Sequence, residues 1–457
     1  MGERDDSRRQ SDPHVAYRSE HLRSVALQTD ALDRKFSVQR AFFLRRTSIS
    51  VTTAGVIPRD TKILSLVCSG HFFSHFLTLA LPPLIPFWRD DFGLSYTELG
   101  FILTLYAAGT GIMQIPMGIL VDRIGALPVV VTGLVILCSA IIGIGLVEEP
   151  SMLLVLALIG GAANGVFHPA NYVIMAKAIK PARLGRSFAV HTFSGYIGSA
   201  LAPVTIVFLA VNFDWRIALM VTASLGLVAA IAMVLGLGGS RNDAALAPRH
   251  KAAAGSAKET DVAMSLRFLF SAPVLKLFLF FVLTSATMNG MMSFSVTTLV
   301  TLFDTPLVAA SAALTAFLFA SSFGILAGGV LADVTNRHDV VAAWAFALTA
   351  VIIALAGSVS LPAALLIGLF AIAGLSQGVI RPARDMMVHA IAPKGATGRV
   401  FGFVTTGINV GGALTPLALG WLVDHGLAQW VFWLIAFGMI LALGTVLSAG
   451  THVRQAV

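Results

Sequence analysis

The sequence predicts an all-α polytopic membrane protein, with twelve transmembrane helices in two pseudo-symmetric six-helix bundles and both termini in the cytoplasm. Three observations carry that expectation: a scarcity of charge, the recurrence of apolar runs long enough to span a bilayer, and a repeat that matches the first half of the chain to the second. The chain is 56% hydrophobic and only 12% charged over 457 residues, whereas a soluble domain carries roughly 25% charged residues. So few charges do not cover a water-soluble protein of this size, and the bilayer is the solvent that fits.

A helix crossing ~30 Å of hydrocarbon needs about 20 mostly apolar residues. Runs of that length occur near 63–88, 96–121, 128–147, 151–176, 187–210 and 216–238, and again near 274–303, 307–332, 339–358, 361–389, 399–423 and 428–449. The organisation that follows is a polar cytoplasmic tail at 1–60, a first bundle at 61–238, a cytoplasmic linker at 239–272, a second bundle at 273–450 and a short tail at 451–457. Residues 1–60 lack the apolar core and small-residue cleavage site of a signal peptide and read as a disordered extension. Pro82, Pro83 and Pro169 fall inside spans, where neighbouring helices can satisfy the backbone groups they free.

The net charge of +8 sits in loops rather than in a nucleic-acid-binding patch. Arg123, the group Lys177, Lys180, Arg183 and Arg186, the segment from Arg241 to Lys276, Arg337, and Lys394 with Arg399 all fall on one side. Asp90, Asp91, Glu98, Glu148, Glu149, Asp214, Asp304 and Asp424 fall on the other, with Arg89 and Arg216 as its few cations. Loops rich in Lys and Arg stay in the cytoplasm, which sets the orientation. Cys68 and Cys138 both lie in apolar runs, and CxxC or Cys/His zinc spacing is absent. Neither a disulfide framework, a metal nor a cofactor is expected.

The halves are copies. Asn164-Gly-Val-Phe-His-Pro-Ala170 in span four matches Gln377-Gly-Val-Ile-Arg-Pro-Ala383 in span ten, and Gly198-Ser-Ala-Leu-Ala-Pro203 in span five matches Gly411-Gly-Ala-Leu-Thr-Pro416 in span eleven. The loop after span two carries Gly118, Asp122, Arg123 and Gly125, and the loop after span eight carries Gly329, Asp333 and Arg337. Parallel repeats of this kind rock about a site between them.

On these motifs residues 61–450 resemble the major facilitator superfamily, whose signature loop is G-x-x-x-D-R-x-G followed by basic residues. Here Ala126 and Leu127 stand in place of the basic pair. The resemblance implies a secondary transporter, a monomer working by alternating access, with the two loops as gates rather than substrate ligands. Within the superfamily, Gly165-Val-Phe-His-Pro-Ala170 looks like the fourth-helix signature of fosmidomycin-resistance-type exporters. Span five is similar to the glycine–proline element of antiporters, with Ala189 and Ala202 where that element has glycines. This assigns Gly198, Pro203, Gly411 and Pro416 to helix packing and leans towards export.

Ionisable groups inside a membrane are costly and therefore mark function. The resemblance implies that spans one, four, seven and ten line the cavity, and the buried polar residues fall mainly on those four: His71 and His75, then Asn164, His168 and Asn171, Asn289, and Gln377, Arg381, Arg384 and Asp385. His71 and His75 share one helix face, one turn apart. His168 and Arg381 occupy the same place in the repeat. Arg381 keeps its charge and needs an anionic partner, either Asp385 or a substrate anion. Histidine titrates near neutrality, so His71, His75 and His168 are the proton-carrying candidates, while His191 and Gln114 read as packing positions. A nucleotide-binding GxxxxGK[ST] segment is absent, which makes protons the expected coupling ion. The expected partners are a small anionic or amphipathic molecule, protons and membrane lipid, in the bacterial plasma (inner) membrane.

Two alternatives remain at this level: an importer of an organic anion, and a non-transporting sensor on the same scaffold. An enzyme is not expected, because histidine-dependent acid–base chemistry needs a cluster and the histidines are spread through separate spans.

Overall fold

The computed structural model describes residues 59–237, 270–335, 337–391 and 397–455. The expected tail at 1–60 and linker at 239–272 lie almost wholly outside them. The described chain is helical throughout. The first half comprises α1 (Arg59–Ala80), a 3₁₀ turn at Pro82–Leu84, α2 (Ile85–Phe92), α3 (Tyr96–Ile124), α4 (Ala126–Gly145), α5 (Ser151–Asn164), α6 (Phe167–Ala178), α7 (Pro181–Asn212) and α8 (Trp215–Leu237). The second comprises α9 (Ala272–Phe303), α10 (Leu307–Val334), α11 (His338–Ala356), α12 (Ala363–Ile391), α13 (Thr397–Asp424) and α14 (Gln429–Gln455). Among the described residues, ten helical segments are long and apolar enough to cross a membrane, counting α1 with α2 and α5 with α6 as one each. Val340–Ala356 and Gln429–Thr445 are apolar but shorter.

Local chemistry explains the interruptions. Pro82 and Pro83 lack amide hydrogens, so α1 cannot continue and the chain tightens into the 3₁₀ turn before resuming as α2. Pro169 has no N–H to give the carbonyl of Gly165, and its ring crowds that carbonyl; the fourth span accordingly breaks at Gly165 into α5 and α6. The equivalent Pro382 sits within unbroken α12. Gly125 joins α3 to α4 at φ 93°, a conformation in which an L side chain is strained.

Packing repeats with the sequence. Gly161 of α5 lies on the backbone of Tyr106 in α3, and Gly374 of α12 lies on the backbone of Phe317 in α10. One turn along, Gly165 faces the carbonyl of Thr110 and Gly378 that of Ser321. Gly198 of α7 meets Phe72 of α1 as Gly411 of α13 meets Val282 of α9. Small residues let helix backbones approach where lipid offers no hydrophobic drive to associate. Thr110 reinforces one crossing, its hydroxyl donating to the Gly161 carbonyl at 2.9 Å.

An added methyl at Gly161 or Gly374 would meet carbonyl oxygen rather than a movable side chain. We therefore expect Gly161→Ala and Gly374→Ala each to destabilise the purified protein by roughly 1–3 kcal/mol, read as a lower melting temperature in detergent. Gly368 has nothing within 4 Å of an added methyl, and Gly368→Ala should leave the melt unchanged or raise it.

Candidate functional site

A cavity of about 510 Å³ lies between the two halves, within the size range of small-molecule sites. It shares Thr78, Leu79, Asn289, Met292 and Ile408 as lining residues with a smaller chamber of about 200 Å³. The two walls differ. The first half presents His71, His75, His168, Tyr172 and Tyr196, and the second presents mainly Phe281, Met288, Met292, Ile380 and Ile408, with Asn289 and Gln377 as polar points. None of the described lining residues carries a fixed charge.

The histidines are gathered, not spread. His71, His75 and His168 each bring one ring nitrogen within 4.8 Å of the others', which corrects the expectation drawn from their separate spans. His71 is 3% exposed; its Nδ1 donates to the carbonyl of His191 at 2.9 Å, because a carbonyl can only accept. The His71 ring stacks on that of His191 with centroids 3.8 Å apart and meets His75 edge-on at 4.6 Å. His75 Nδ1 lies 3.2 Å from the Ser199 hydroxyl. Gly195 makes room for both imidazoles, since an added methyl would stand 2.8 Å from His71 Nδ1 and 2.9 Å from His75 Cδ2. His168, on the turn after the α5–α6 break, stacks on Tyr172 at 6.1 Å. Asn171 Nδ2 donates to His191 Nε2 at 3.0 Å.

The remaining polar groups hold one another. Ser74 donates to Asn164 Oδ1 at 2.6 Å, and Thr78 lies 2.9 Å from the Tyr106 hydroxyl. Asn289 Nδ2 donates to the Ser285 carbonyl at 2.9 Å, and Ser285 Oγ donates to the Ile408 carbonyl at 2.6 Å. Gln377 lines the cavity, and its Nε2 has no partner among the described residues. The side chains of Arg381 and Asp385 lie outside the described ones.

The cavity is closed at the Asp424 end. The first amides of a helix have no partner within it. At the start of α3, Ser95 accepts from the Glu98 amide while Glu98 accepts from the Ser95 amide. The Asp424 carboxylate, from the other half, takes the next two, accepting from the Tyr96 and Thr97 amides at 2.7 Å each and from the Thr97 hydroxyl. Arg89 lies 3.9 Å from Asp424 and over the Tyr96 ring at 4.2 Å. Below this layer Gly100 packs on the backbone of Pro416 and Gly420 on that of Tyr96.

Towards the Asp122 end no such carboxylate cap occurs among the described residues, although the halves still meet where Phe193 of α7 lies edge-on to Phe323 of α10 at 6.0 Å. Asp122, Arg123 and Arg337 are exposed. Among the described atoms, an added methyl at Gly118 would meet only Pro169 of its own half within 4 Å, and one at Gly329 would meet none. The Asp333 side chain lies outside the described ones. Of the packing elements, Gly198 and Gly411 sit within the halves and Pro416 sits between them. Pro203 lies inside α7.

Sequence reasoning missed the Asp424 cap, the His191 stack and the Met288–Met292 wall. A helix end carrying an Asp gives no sign of which helix it caps, and a methionine in an apolar span carries no mark of facing a cavity.

Two bundles enclosing a central cavity between membrane-spanning helices define a carrier. The chain belongs to the Major Facilitator Superfamily, which it matches over residues 67–311 and 284–454. It is similar to the multidrug resistance protein MdtH of Salmonella arizonae, 26% identical over 389 residues that cover 80% of this chain and 89% of MdtH. It also resembles the uncharacterized transporter YybO of Bacillus subtilis at 25% identity, over 35% of this chain and 36% of YybO. Solved structures share the fold. The nucleoside transporter NupG superposes with a TM-score of 0.70 at 15% identity, over 85% of this chain and 99% of NupG. An inward-facing, unoccupied bacterial homologue of the lysosomal transporter Spinster gives 0.66 at 12% identity, over 88% and 98%. The protein is thus an integral membrane protein of a transporter superfamily whose relatives act as secondary transporters and not as enzymes.

Removing the cap should loosen the closed end. Hydrogen bonds to a charged group contribute about 1.5–3 kcal/mol each, so Asp424→Ala is expected to raise labelling by an impermeant thiol reagent, added from the Asp424 side, at a cysteine replacing Ser293 of the smaller chamber by roughly tenfold. Unchanged labelling would show that the glycine contacts alone keep this end shut.

Proposed function

We propose that the chain exports small amphipathic organic molecules from the cytoplasm across the bacterial plasma (inner) membrane, coupled to the proton gradient. In this reading twelve spanning helices form two rocking bundles, and both termini are cytoplasmic. The observation that carries it is the central cavity, shut at the Asp424 end, with a wall of hydrogen-bonding rings that carry no fixed charge facing a wall of Met, Phe and Ile. Unbranched, polarizable methionines repack around varied ligands and are over-used at promiscuous surfaces. Neutral imidazole, phenol and amide groups orient a polar tip without demanding a fixed charge. The charge bias of the loops makes the Asp122 end cytoplasmic, so a cavity shut at Asp424 is loaded from inside the cell. The likeness to MdtH and the fourth-helix resemblance to fosmidomycin-resistance-type proteins point the same way. Organic-anion import would rest on Arg381, and none of the described wall residues adds a second cation to it.

Inverted vesicles with an imposed acid-inside gradient test this directly with an amphipathic fluorescent dye. Gradient-dependent uptake is expected, and its absence across a panel of amphipaths would refute the reading. His168→Ala, Asn289→Ala and Arg381→Ala should each cut the initial rate roughly five- to tenfold, the loss expected for one or two net hydrogen bonds, with membrane insertion intact. Normal rates in all three would remove the cavity assignment. Asp122→Asn should slow turnover while dye affinity stays within about twofold; an equal loss of affinity would count against its role as a gate.

A further inference from the structure

We propose that His71, His75 and His168 form a binding site for a divalent transition-metal ion of the Zn²⁺, Co²⁺ or Ni²⁺ class inside the central cavity. Four observations converge. His71 and His75 are four residues apart on α1, the spacing that puts two imidazoles on one helix face and recurs in helical zinc sites. His168 closes on them from the turn after the α5–α6 break, and the three residues each offer a nitrogen within 4.8 Å of the others. His71 Nδ1 donates to the His191 carbonyl, which leaves the lone pair on Nε2; that nitrogen is buried and has no hydrogen-bond partner. A ring held through one nitrogen by a backbone carbonyl, with the other nitrogen free, is the arrangement that orients metal-bound histidine. Finally, Gly195 provides the space in which the His71 and His75 rings sit side by side.

A tetrahedral ion with metal–nitrogen bonds of ~2.0–2.1 Å places its ligands about 3.3 Å apart. The cluster therefore closes by up to about 1.5 Å on binding, a movement within reach of χ rotations at His75 and His168, which border open cavity. Three neutral nitrogens without a carboxylate select borderline metals over Mg²⁺, Ca²⁺ and Mn²⁺, which prefer oxygen. None of the described lining residues supplies a negative charge, so the fourth position opens onto the cavity for water or for a donor atom of a cargo molecule. The site shares its cavity with the transport reading but does not depend on it, because ion binding is measured on the purified chain without flux.

The test is a Zn²⁺ titration of the full-length protein in detergent, in competition with a chromophoric chelator. One ion per chain should bind in a manner lost by about tenfold or more in affinity in His71→Ala and in His75→Ala, and unchanged in His425→Ala at the Asp424 end. Removing even an outer-shell partner commonly costs metal affinity 10–100-fold. Gly195→Ala keeps all three ligands but crowds two of them, and should weaken binding in a variant that still elutes as a single folded species. X-ray absorption at the zinc edge should show imidazole nitrogens from three histidines, and a hundredfold excess of Mg²⁺ should not displace the ion. The proposal fails if the triple variant His71→Ala/His75→Ala/His168→Ala binds Zn²⁺ as tightly as the parent, or if the edge spectrum shows fewer than two imidazoles. Dye flux in chelator-treated vesicles tests the transport reading separately, so either can fail alone.

Discussion

In water, two apolar helices associate because water expels them; in lipid that drive is gone, and the fold must obtain cohesion from close backbone contact instead. The glycine-on-carbonyl crossings answer this constraint. Gly161 and Gly165 seat α5 and its break on α3, and Gly374 and Gly378 seat α12 on α10. Gly198 and Gly411 do the same for α7 on α1 and α13 on α9. Each half thereby becomes a body stiff enough to hold side chains at fixed separations, and the cavity is what remains between two such bodies. The histidine cluster depends on the same constraint, since α7 must come close to α1 for the His191 carbonyl to reach His71 and for Gly195 to accommodate the rings.

Contacts between the halves add a polar element to the same packing. At the Asp424 end they combine glycine packing with one carboxylate that completes the hydrogen bonding of the opposing helix start. A charge at a helix N-terminus gains from the aligned peptide dipoles, and the arrangement is reversible because water can replace either partner when the halves separate. Glycine packing thus serves both within the halves and between them, and the Asp424 cap is the polar contact added at the seam.

Much of this was legible in the sequence, for physical reasons. Hydropathy reports burial in lipid, so the apolar runs mark the helices to within a few residues. The repeat reports shared packing, so Gly198 and Gly411 stand in matching crossings. Of the polar residues inside spans, His71, His75, His168, Asn289 and Gln377 line the central cavity and Asn164 the smaller chamber. Their mutual distances were not legible. Rotation of each helix about its axis is set by tertiary packing, so residues 97 positions apart, His71 and His168, gave no sign of touching. The role of His191 was hidden too, because it enters through its backbone carbonyl and ring face. Asp424 read as a topology charge, since the cap belongs to a helix more than 300 residues earlier.

All four clustered histidines belong to one half, whereas the Met and Phe surface belongs to the other. Relative motion of two rigid bodies leaves distances within each body unchanged. On the proposed function, whatever the imidazoles grip would be held by the same grip throughout the cycle, and that grip could not by itself distinguish one access state from the other. A ligand shifts a conformational equilibrium only by its difference in affinity between states. In the proposed transport cycle the directional choice would therefore fall to the greasy surface of the second half, dividing anchoring and sensing between opposite sides of one chamber.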